Sequence, residues 1–252
     1  MASIYDTIYP KFKKEFIQAE LNEIYTPTEM EVILAEKSTV RQSAKLLFLI
    51  SLKCFQRLGY FLPISNIPEE IIYHISKVLD IKLTEKMISN YGKSGSRQRH
   101  FQAIRAFLGV SPFDSKARHL IVVAIGKAAK TKEEPTDLIN IAIEELIKNS
   151  YELPAFSTIE RAVNRIRVSV NRSFYRKIQA SLSDEEVSRI NILLENDEDL
   201  KSTPWNMIKK ESSSPTLNHL KEIVNQLSWL KEQSIAVNAL QEIPYVKIKQ
   251  FS

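Results

Sequence analysis

Four arginines, Arg161, Arg165, Arg172 and Arg176, stand at spacings of four, seven and four residues. At about 100° of rotation per residue they fall within about 60° of one another on an α-helix. No Asp or Glu occurs from Arg161 to Ser183 to neutralise them. A guanidinium is a planar fork that donates two hydrogen bonds at once, so the chemistry this spacing offers is recognition of phosphates and guanine edges. Ile159, Val163, Ile166, Val170 and Phe174 cluster on the opposite side, within about 80° by the same rotation. One face of the helix would therefore be buried and the other would be an arginine ridge, with Arg167 and Lys177 off it. The competing reading is a solvated basic face paired with acids from other helices.

A second basic group is Lys93, Arg97, Arg99, His100 and Arg105, extended by Lys116, Arg118 and His119, with Gln102 on the same surface. The turn Gly92–Ser96 ahead of a helix suits phosphate contact through backbone N–H groups. Arg97 and Arg105 project toward the core side, where snorkelling alone would explain them. Arg41 and Lys45, with Lys37, line the start of a long helix, and there a solvated face is the plainer reading. The DNA-contacting candidates are thus Ser157, Thr158, Arg161, Asn164, Arg165, Arg172 and Arg176, then Lys93, Arg97, Arg99, His100 and Gln102, then Arg41 and Lys45. Within the first set, Ser157, Thr158, Arg161 and Asn164 would face bases, and the later arginines phosphates.

Catalytic signals are weak. The four histidines are scattered without zinc-site spacing, and no glycine-rich phosphate loop or nucleophile elbow occurs. Most acids sit at helix starts, where capping accounts for them. Cys54 lies in the apolar run Leu46–Phe55, which predicts a buried structural thiol. We expect no catalytic residue, metal ligand or cofactor in this chain.

These side chains need helices to hold them. The 252 residues contain only 5 glycines, far below the usual ~7% that strand-rich folds spend on turns. Helix starts are predicted at Thr26-Pro27-Thr28-Glu29 and Pro68-Glu69-Glu70, and at caps Thr84, Ser96, Asp114, Ser157 (with Glu160), Ser183 and Ser214. Gly59 should end the long helix Val40–Leu58. Core faces would be Ile71, Ile75, Val78 and Leu79 in one helix and Leu120, Val123 and Ala124 in another. The helix from Ser157 would run to about Ala180. With the preceding helix, about Thr136–Asn149, it would form a helix-turn-helix, although the connector is longer than usual. The expected fold class is all-α, with a lead segment 1–25, helical modules over 26–110 and 111–182, and a helical scaffold from 183 onward.

Hydrophobic content is 44% and the formal net charge is +5, which fits a folded protein with a modestly basic surface. No signal-peptide core and no run of about 18 uncharged apolar residues is present. A soluble cytoplasmic, nucleoid-associated protein is expected.

Several segments resemble the N-terminal region of Tn-three-type replicative transposases. They are RQSAKLLFLISLKCFQRLGYF followed by IPEEIIYHISKVLDI, YGKSGSRQRHFQAIRAFLGVSPF, LPAFSTIERAVNRIRVSVNRSFYRKIQASL and SPTLNHLKEIVNQLSWL, in that order along the chain. The resemblance implies helical domains that bind duplex DNA at transposon terminal inverted repeats. It also implies a separate Mg2+-dependent Asp-Asp-Glu catalytic domain absent from this chain, and a homodimer in the full-length protein. A helical scaffold for acidic protein partners is the alternative from another class. A complete small nuclease is a third reading.

Overall fold

In a computed structural model of the chain, residues 3–195, 202–209, 215–232, 240–241 and 243–251 are described. The fold is all-α among these residues, and an isolated bridge joins Ser111 to Tyr151. No described helix is long and apolar enough to cross a membrane. The chain forms two compact units, Met1–Arg167 and Val168–Ser252, and the boundary falls inside one helix.

The first unit is built around α3 (Gln42–Leu58), whose residues from Leu46 to Phe55 are all buried. A helix buried all round must be wrapped by others. Here α2 (Glu29–Ser38), α4 (Glu69–Leu79), α5 (Glu85–Gly92) and α6 (Gly95–Leu108) pack against it, as does the π-type turn Leu21–Tyr25 that follows α1 (Gln18–Glu20). Gly59 ends α3 as expected: its φ of 75° is left-handed, and its N–H donates to the Phe55 carbonyl at 2.7 Å. Cys54 is buried as expected, and burial pushes its thiol up to about 12.

Inside this core lies an ion pair. Lys53 Nζ reaches Glu31 Oε2 at 3.2 Å, with both side chains under a tenth exposed. Burial alone would raise the Glu31 carboxyl. The Thr28 backbone N–H, Gln56 and Lys53 outweigh it and hold the carboxyl below its usual range.

Beyond Val110 come α7 (Ser115–Ala128) and α8 (Pro135–Lys148), which pack closely on each other. Asp114 caps α7 as expected, accepting from the Lys116 and Ala117 N–H groups at 2.9 and 3.0 Å. The chain returns to the first core through Leu153, whose N–H donates to the Gly59 carbonyl at 2.8 Å. Then α9 (Phe156–Ser181) begins, with Ile159 and Val163 fully buried.

Several local expectations shift. The first capping box is Thr28/Glu31, two residues later than Thr26/Glu29, because the Thr26 hydroxyl is engaged by His74 Nε2 at 2.9 Å. The N-cap of α6 is Ser94 rather than Ser96, since the helix begins at Gly95. The start of α9 at Phe156 puts Ser157 within the first turn and not at the cap. Val78 and Val123 are exposed, and α7 buries Ala117, Ile121 and Ile125 instead of Leu120, Val123 and Ala124.

The second unit contains the rest of α9, with Phe174 buried, and α10 (Asp184–Ile192), opened by the expected Ser183/Glu186 capping box. Among the described residues α11 (Pro204–Ile208), α12 (Leu217–Glu232) and α13 (Tyr245–Phe251) follow. The start signal expected at Ser214 lies outside the described residues, and Thr216 accepts from the His219 N–H at 3.2 Å there. Lys247 is buried and donates to Asn171 Oδ1 at 3.0 Å.

Candidate nucleic-acid interface

Helix α9 begins at Phe156, whose ring meets Tyr9 edge-on with centroids 5.5 Å apart. Ile159 and Val163 anchor the N-terminal half inward. Ser157, Arg161, Asn164 and Arg165 are exposed on the outer side, and Thr158 is half-buried. Arg161 Nε donates to the Ser157 carbonyl at 3.0 Å, which folds this guanidinium back over the first turn. Arg172 and Arg176, in the part of α9 that belongs to the second unit, are also exposed.

Among the described residues none of these four arginines has an acidic partner. Arg167, off the ridge, differs: it lies 3.5 Å from Glu133 and is partly buried. The paired-face reading therefore holds for Arg167, and among the described residues no acid pairs with the ridge. Among the described residues Arg165, Arg172 and Arg176 are exposed with no anion beside them, and Arg161, whose Nε is bonded to the Ser157 carbonyl, keeps its terminal donors for phosphates or base edges.

The second basic group divides. Arg105 is structural, with Nε and Nη2 gripping the Glu152 carboxylate at 2.9 and 3.2 Å while the guanidinium lies 5.0 Å from the Phe61 ring centroid. Arg97 is partly buried over Phe101 and donates to the Gly92 carbonyl at 3.2 Å. His100 is the one candidate the fold removes from the surface. It is 3% exposed, its Nδ1 pairs with the Tyr91 hydroxyl at 2.9 Å, and its ring meets Phe48 edge-on. Helix α6 turns that position inward, so the basic spacing misled. Burial and then the neighbouring Arg99 charge lower the His100 pKa, which favours a neutral ring. Lys93, Arg99 and Gln102 remain exposed.

Lys45 is only 15% exposed and is paired with Glu36 at 2.6 Å, which leaves it little freedom for another anion. Arg41 is exposed and lines a groove of about 660 Å³ together with Ser43, Ser94, Ser96 and Arg99. This brings together the starts of α3 and α6, neither of which has a side-chain cap bond or an acid in its first turn. Both helix starts therefore present backbone N–H groups at their positive ends. The reading from sequence held Arg41 and Arg99 as separate candidates. No local pattern could have joined residues so far apart.

Two lysines were not among the candidates, Lys127 and Lys130, which are exposed on and just beyond α7. The signal that could have found them is a second acid-free run, 115–132.

Known proteins place this arrangement in context. A family model described as a domain of unknown function (DUF4158) matches residues 4–166, which ends within one residue of the first compact unit. The chain is 25% identical over 199 residues to the transposase for transposon Tn501 of Pseudomonas aeruginosa, covering 77% of this chain and 20% of that protein. It is 24% identical over 223 residues to the transposase for transposon Tn3926 of Escherichia coli, covering 87% and 22%. With the transposase for transposon Tn1546 of Enterococcus faecium it is 19% identical over 258 residues, covering 98% and 26%. The chain thus spans between a fifth and about a quarter of the length of these relatives, and the likeness read from its segments holds along most of it.

Proposed function

The chain belongs to the DUF4158 family, and from that premise we propose that it is a sequence-specific duplex-DNA-binding region of a replicative transposase, acting at the transposon's terminal inverted repeats. The carrying observation is the row of exposed arginines on α9 that have no acidic partner among the described residues. The similarity to transposases for four transposons supports DNA as the partner.

In this reading residues 26–110 and 111–182 are successive modules on one long site, and linkage raises the effective concentration of the second once the first is bound. The start of α9 enters the major groove as the second helix of a helix-turn-helix, with Ser157, Thr158, Arg161 and Asn164 toward base edges. Arg165, Arg172 and Arg176 hold phosphates. Strand cutting and joining, with its Mg2+, belongs to a separate catalytic domain, and the full-length protein works as a homodimer.

The test is a gel shift with an inverted-repeat duplex and a random one. Arg161→Glu with Arg165→Glu should reduce the affinity for the inverted repeat by at least about fivefold, since the Arg161 base contact is worth about 1–3 kcal/mol and the lost Arg165 phosphate contact adds to it. Unchanged affinity for that duplex would remove α9 from the interface. A wild-type chain that binds neither duplex would favour a scaffold for acidic proteins instead.

A further inference from the structure

Helix α7 carries a second basic face that α9 does not explain. Lys116, His119, Val123 and Lys127 are all exposed, and at about 100° per residue they fall within about 80° of one another. Exposed Lys130 follows just past the helix end. The opposite face, Ala117, Ile121 and Ile125, is buried. No acid occurs in 115–132. Among the described residues Lys116, Lys127 and Lys130 have no ion-pair partner, whereas neighbouring Lys132 meets Asp137 at 3.2 Å.

The basic side chains fall into two groups, Lys116 with His119 and Lys127 with Lys130. From His119 to Lys127 the helix rises about 12 Å, which is comparable to the width of the DNA major groove. Val122 and Val123 lie between, exposed by 42% and 55%. A protein partner would be expected to meet aromatic or Met anchors with few lysines at the centre. This face offers lysines at both ends and no aromatic ring.

We propose that the outer face of α7 is a second docking surface for the sugar-phosphate backbone of duplex DNA, with one basic group at each end. This takes its partner class from the duplex-DNA reading but rests on different residues from those of α9. Lysine is a flexible point charge without Arg's bidentate fork, so the surface adds affinity and salt dependence rather than discrimination among sequences.

The experiment uses the full chain with K116Q, K127Q and K130Q combined, and K132Q as a control. Binding to a random duplex and to an inverted-repeat duplex is followed by fluorescence anisotropy from about 50 to 200 mM salt. Each lost phosphate contact flattens the log–log salt slope by about 0.9, so the triple variant should lose roughly 2.7. The ratio of the two affinities should stay as in wild type, and K132Q should change neither. An unchanged slope in a triple variant with wild-type helical circular dichroism overturns the proposal. So does a triple variant that loses binding to polyglutamate while keeping its slope on DNA. Failure of α7 is distinguishable from failure of α9: the R161E/R165E protein loses the affinity ratio, whereas the α7 variant loses the slope.

Discussion

Whether a basic side chain can reach a ligand depends on what its neighbours already ask of it. Arg105 is committed to Glu152 and Phe61, Lys45 to Glu36, and His100 to Tyr91 and Phe48. His100 has a consequence for stability. Its folded pKa is lowered, chiefly by burial and then by Arg99, so the native state holds a neutral ring. The unfolded chain therefore binds more protons below about pH 6.5. The stabilisation is complete above that pH and is lost as pH falls toward the depressed native value. His74, also buried and lowered, acts in the same direction. Urea midpoints should thus fall as pH drops from about 7 to 5, and His100→Gln should flatten the fall. An equal fall in the variant would show that His100 contributes nothing to it.

At the scale of elements, the helices were more legible than their ends. Amphipathic spacing and breakers such as Gly59 marked α3, α4, α8 and α9 because a buried face needs a regular period whatever it packs on. Caps shifted at Thr26/Thr28 and Ser94/Ser96, where two hydroxyl residues lay two positions apart. A hydroxyl caps only if no tertiary partner claims it and the backbone ahead of the helix is extended. Thr26 bonds His74, and capping passes to Thr28. At Asp114 the side chain is free to accept from Lys116 and Ala117, and the expected cap formed although Ser115 follows it. Asp114→Ala should cost about 1 kcal/mol, the usual value of such a cap, read as a lower urea midpoint at an unchanged slope. A wild-type midpoint would mean that the Asp114 bonds to Lys116 and Ala117 contribute no net stability.

On the scale of the whole molecule, Met1–Arg167 is compact in itself, with a core drawn from Leu21 to Ile104 and partners out to Val110. A fragment ending at Leu182 keeps α9 entire and should unfold in one cooperative urea transition by circular dichroism. A broad, graded loss of helix would contradict that. The sequence by itself determined the all-α class, because scarce glycine and 3.6-residue periodicity are local properties that need no knowledge of the partner face. It also exposed the ridge on α9, since helical rotation alone aligns its arginines. Only the tertiary structure decided which cations are free. It sent His100 into the core, tied Arg105 to Glu152 far along the chain and Lys45 to Glu36 on the preceding helix, and set Arg41 and Arg99 in one groove. Pairing depends on distances between elements, and those arise only when the helices pack.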